Sequence, residues 1–136
     1  MTVSICIADN RIQTKQPFIG KGYTMENLTK RDNQDAVGLL EVFGLVCAFL
    51  AADAGCKAAN VRLEVFDKNK PANADALPVP LLVTVKFRGS IADVEEAMRA
   101  AEAVATAHKG VVSKHIIARS TADTEKMLKV SALDKN

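Results

Sequence analysis

The sequence predicts an α+β fold, an antiparallel four-stranded sheet with helices on one face, and three observations lead there. An apolar run, AVGLLEVF at 36–43, reaches Gly44 and gives way to an alanine- and leucine-rich stretch at 45–59. A short apolar run bounded by glycine reads as a buried strand, and the good helix formers after it read as a helix. Two further apolar runs, 81–87 and 112–117, flank a stretch whose apolar residues recur every three and four positions. Aromatic residues make up 4% of the chain and Trp is absent, so the core has to be aliphatic and rich in alanine.

Taken in order, residues 2–7 read as a short strand, Asp9-Asn10 as a turn, and residues 12–18 as a returning strand that ends at Pro17. An isolated hairpin of this size is marginal in water, so it needs another sheet or its own symmetry copies; a disordered arm is the alternative. Residues 20–33 are polar and glycine-bearing and form a linker with one helical turn at 23–28. The expected division is an N-terminal extension at 1–34, the main domain at 35–130 and a mobile tail at 131–136. After the 45–59 helix, residues 62–66 alternate outward Arg62 and Glu64 with inward Leu63 and Val65, the period of a strand. Pro71, Pro78 and Pro80 then enforce a loop up to the strand at 81–87. Ser90 caps the next helix, with Asp93 completing a short capping box. Its stripe is Val94, Ala97, Met98, Ala101, Val104, Ala105 and His108, with Glu95, Glu96, Arg99 and Glu102 on the other face. Gly110 ends it, residues 112–117 form the fourth strand of the domain, and Thr121 caps a last helix at 121–128. Strand, helix, strand, strand, helix, strand, helix is ferredoxin-like in outline.

The 45–59 helix has polar relief mainly at Asp53 and Lys57. A helix apolar on most of its circumference cannot sit on one core and turn its back to water. In so short a chain its second face packs on another copy, which makes an obligate oligomer the expectation. A net charge of +2, with no Lys/Arg cluster interleaved with aromatics, argues against nucleic acid as a partner. Glu41, Asp53 and Lys57 interrupt every apolar run short of membrane-spanning length. The start MTVSICIADNR has no signal-peptide pattern, and reduced thiols suit the cytoplasm. Cys6, Cys47 and Cys56 form no CxxC pair; Cys47 and Cys56 lie about 180° apart on one helix at the usual 100° per residue. They read as free interior thiols, not metal ligands.

No catalytic constellation is present in the sequence. His108 falls on an apolar stripe, His115 lies mid-strand, and neither has a serine or cysteine beside it in a nucleophile-elbow setting. Adjacent Glu95 and Glu96 diverge on a helix, and no phosphate-binding glycine motif occurs. No enzyme activity, cofactor or metal is expected.

The segments AVGLLEVFGLVCAFLAADAGCKAANVRLEVFD, LLVTVKFRGSIADVEEAMRAAEAVA and VVSKHIIARS carry a resemblance. In this order they are similar to the single-domain, non-permuted shell proteins of bacterial microcompartments, over residues 35–125. The resemblance implies a homo-hexameric tile with a pore on its axis, tiles meeting edge to edge, and partnership with other shell proteins and the enclosed enzymes. It places the tile edge at Lys57, Asn60 and Arg119, although the family's usual proline before that arginine is Ala118 here. It places the pore loop at Lys68, Asn69, Lys70, Pro71, Ala72, Asn73, Ala74, Asp75 and Ala76, where the family's short Gly/Ser turn is replaced by a longer one without glycine. Its prolines lower the entropy lost on ordering, so a defined conformation is expected, narrowing the pore or folded back on the tile face; the alternative is a solvent-exposed insertion that never touches the axis. A second reading stays open, that of an oligomeric ferredoxin-like regulatory module binding a small metabolite between subunits, because fold alone does not name a function.

Overall fold

The computed structural model describes residues 35–129. The strands expected at 2–7 and 12–18, the linker, Cys6 and the tail at 131–136 lie outside the described residues. The elements are β1 (Ala36–Phe43), α1 (Leu45–Ala58), β2 (Arg62–Leu63), β3 (Asp67–Asn69), β4 (Leu82–Gly89), α2 (Ile91–His108), β5 (Val111–Ile117) and α3 (Ala122–Leu128), with a 3₁₀ turn at Ala74–Ala76. The sheet runs β2-β4-β1-β5, and β3 extends the β2 side by pairing with β4. All pairings are antiparallel.

Gly44 turns the chain from β1 into α1. Its φ of 83° lies in the region that favours glycine, and its N–H donates to the Leu81 carbonyl at 2.8 Å. The cap read at Ser90 is formed: its hydroxyl accepts from the Asp93 N–H at 3.2 Å. Thr121 does the same for α3 through the Thr124 N–H, at 3.3 Å. Gly110, with φ 97°, closes α2 by donating to the Ala105 carbonyl at 2.8 Å.

Strand alternation sorts the two faces of the sheet. Leu40 and Val42 on β1 and Val83, Val85 and Phe87 on β4 are buried under α1 and α2 with Ala48, Ala51, Ala52, Val94, Ala97 and Ala101. The aliphatic, alanine-rich core and the two long helices on one face follow the expectation. Short α3 lies on the other face, where Lys86 and Arg88 point toward it.

The second strand departs from its expected form. Instead of one run at 62–66, it is broken into β2 and β3, whose registers on β4 differ by one residue between Leu63 and Asp67. A one-residue slip reverses which side chains face the core. Val65, expected inward, is 51% exposed, whereas Glu64, still in the register of β2, keeps the side opposite the core, where it is half-buried and pairs with Arg88. His108 is exposed at the end of α2 instead of joining its buried stripe.

Candidate assembly interface

Helix α1 buries Cys47, Ala48, Ala51, Ala52 and Gly55 against the sheet and α2. Its opposite side carries Leu45, 41% exposed, Val46, 73% exposed, and Phe49, 57% exposed. The Phe49 ring meets that of half-buried Phe66 at 5.3 Å between centroids, tilted by 59°, so the patch continues onto the segment between β2 and β3. Beside it lies an apolar hollow of about 380 Å³ lined by Phe43, Leu45, Val46, Leu50 and Val79. Scattered exposed apolar residues are ordinary, but a contiguous patch on one helix marks a surface for another molecule.

The residues tied to a tile edge occupy one end of the sheet. Lys57 and Asn60 follow one another at the C-terminal end of α1, where the chain enters β2. Arg119 lies two residues beyond β5, whose end pairs with the start of β1. Antiparallel pairing puts the start of β2, the end of β4, the start of β1 and the end of β5 at that end. All three side chains are exposed. Lys57 is held along its own helix by Asp53, with Nζ 2.5 Å from the carboxylate.

The loop after β3 is folded, as its prolines led one to expect. Lys68, Asn69 and Lys70 are exposed where β3 ends. The Pro71 carbonyl accepts from the Ala74 N–H at 3.0 Å, and that of Asn73 accepts from Ala76 at 2.9 Å. Ala74 is buried and anchors the 3₁₀ turn, leaving Ala72, Asn73, Asp75 and Ala76 exposed.

Among the described residues, no three His, Cys, Asp or Glu side chains gather so as to hold a metal ion. Cys47 is buried with its thiol toward the Ala105 carbonyl at 4.0 Å, and Cys56 is half-buried. Among the described residues no helix is long and apolar enough to cross a membrane.

A polar node on the sheet's second face was missed from sequence. Arg88 is 2% exposed and makes a two-pronged pair with Glu125 of α3, both contacts 2.9 Å, while its Nε donates to Glu64 at 2.9 Å. Burial pushes the Glu125 carboxyl up, but hydrogen bonds from Arg88 and Ser120 and the Arg88 charge outweigh it and hold it below its ordinary value. The available signal was Lys86 and Arg88 alternating with Val85 and Phe87, which required a polar partner over that face.

The profile of the BMC domain family matches residues 36–120. The chain is 38% identical over 95 residues to the bacterial microcompartment shell protein PduA of Citrobacter freundii, covering 70% of this chain and 92% of that protein. It is 39% identical over 94 residues to the carboxysome shell protein CsoS1C of Halothiobacillus neapolitanus, covering 68% and 87% respectively. A crystal structure of a microcompartments protein from Desulfitobacterium hafniense DCB superposes with a TM-score of 0.54 at 25% identity; the match covers 73% of this chain and 49% of that one, so this chain spans about half its length. The strand–helix–strand order, the two long helices on one face and these matches lead to one conclusion: this chain belongs to the BMC domain family of bacterial microcompartment shell proteins.

Proposed function

We propose that the chain is a structural subunit of a bacterial microcompartment shell in the cytoplasm. Six copies close into a ring-shaped tile, tiles join edge to edge with each other and with other shell proteins, and a pore on the ring axis passes small metabolites to enclosed enzymes. The observation that carries this reading is the apolar face of Leu45, Val46 and Phe49 on α1, turned to solvent in a single subunit. A closed ring needs one subunit's patch to meet a different surface of the next, and an apolar helix face rimmed by charge serves that end. The chemistry of the described residues is structural, and the protein is a building element, not an enzyme.

Lys57, Asn60 and Arg119 form the tile edge in this reading. At a two-fold edge each lysine meets its own copy, so its ammonium has to reach carbonyls or a carboxylate of the neighbour. The loop at 68–76 stands at the pore, with Asp75 answered by Lys68 or Lys70 so that like charges do not crowd the axis. Residues 1–34 are an extension to the shell domain at 35–130 in this reading.

Native mass spectrometry and negative-stain microscopy of the purified protein test the proposal. A hexamer mass and extended sheets or tubes are expected. A discrete dimer or trimer whose melting shifts with a small metabolite would favour a regulatory module and refute the tile. A crystal structure of the ring with residues 69–76 all far from the axis would refute the pore assignment alone.

A further inference from the structure

Helix α3 covers the sheet face opposite α1 and α2, yet it contributes little to the folded body. Of its seven residues, Glu125 and Leu128 are buried, while Met127 is 71% exposed. The main cluster of buried apolar side chains draws on β1, α1, β4 and α2 and includes none from α3. The family profile also stops at residue 120, just before the Thr121 cap. What seats the helix is largely polar. Glu125 takes the forked contact from Arg88 and the hydroxyl of Ser120, and the Lys86 ammonium donates to the Leu128 carbonyl at 3.0 Å.

We propose that α3 is a detachable latch: it leaves the sheet as a unit while β1, β4, β5, α1 and α2 stay folded, opening the second face of the sheet. The arrangement around Arg88 makes this feasible. Breaking a buried ion pair is costly when it strands a charge without a partner. Here Arg88 keeps Glu64, which belongs to the β2–β3 segment and stays behind, at 2.9 Å from its Nε. Lys86 loses a neutral carbonyl and gains water, and Glu125 is carried into solvent. The helix itself is too short to persist once released, since isolated helices of this length are unstable in water. Release is therefore a switch between a seated helix and an extended strand of chain, hinged at exposed Ala118 and Arg119. In the open state the cations Lys86 and Arg88, both bonded to the seated helix, are uncovered together.

Hydrogen exchange on the full-length protein, read by mass spectrometry, tests the latch. In the native chain the amides of 122–129 are expected to exchange at least tenfold faster than those of α1, α2 and β4. Glu125→Gln removes the charge that holds the helix and is expected to speed exchange a further tenfold in 122–129 while leaving α1 and β4 unchanged. If Glu125→Gln does not fold, Ser120→Ala, which removes one bond to the same carboxylate, is read in the same way. Exchange of 122–129 at the rate of the core, a rise spread equally over α1 and β4, or no change in 122–129 would each overturn the proposal.

Discussion

Gly55 sits inside α1, and a methyl group there tests the close approach of helix and sheet. A Cβ built on it lies against Phe87 Cζ, 2.5 Å from Phe87 Cε1 and 3.1 Å from the carbonyl oxygen of Ala97 in α2. Phe87 is fully buried, so its ring has nowhere to swing, and the third neighbour is backbone. Alanine gains about 1 kcal/mol over glycine from helix propensity. Overpacking a close-packed core costs about 1–3 kcal/mol, and a blocked ring together with backbone puts this site at the upper end. The net expectation for Gly55→Ala is a loss of about 2 kcal/mol, which lowers the melting temperature of a domain this size by about 10 °C. Urea and thermal unfolding followed by circular dichroism measure it, at fixed protein concentration because assembly makes the midpoint concentration-dependent. Adding Phe87→Leu should cost less in the Gly55→Ala background than in the native one, since it relieves the clash. A Gly55→Ala protein as stable as the native one, or more so, would refute the packing argument.

Acid should weaken the protein through Glu125, whose carboxyl is held below its ordinary value. A depressed carboxylate contributes stability that is fully present above its unfolded pKa of about 4.3 and is lost as pH falls through the lower folded value. Urea titrations from pH 7 to pH 3 should show this loss, and Glu125→Gln should flatten that part of the profile. Ser90→Ala removes the cap on α2 and should cost about 1 kcal/mol, read as a shifted unfolding midpoint with unchanged slope; no shift would show that water replaces the hydroxyl. Lys57→Asp should leave the ring mass unchanged while sheets disappear from micrographs, and normal sheets or a dissociated ring would remove Lys57 from the tile edge.

Much of the fold was legible because it is written in local pattern. Strand β1, helix α1, strand β4 and helix α2 begin and end within about two residues of their expected bounds, a margin set by fraying ends. The caps at Ser90 and Thr121 and the stop at Gly110 were read from single residues whose backbone chemistry is local. The second strand was not legible. RLEVF alternates well on its own, and nothing in those residues says that pairing with β4 slips by one between Leu63 and Asp67. The apolar circumference of α1 announced an exposed face, but that Phe66 would meet Phe49 there was decided by how helix and sheet dock.

By itself, then, the chain's order of residues determined its family, its α+β class, the spans of β1, β4 and the helices, and an apolar helix face in search of a partner. These depend on periodicity and on neighbours a few positions apart. Tertiary structure alone decided which side of the sheet each charge faces. Arg88 was one cation in an apolar strand until folding brought Glu64 and Glu125 to it, from 24 and 37 positions away. Gly55 was a weak point in a helix until Phe87 arrived against it. Such pairings are set by sheet register and helix docking, which sum over many distant contacts, and no window of sequence contains them.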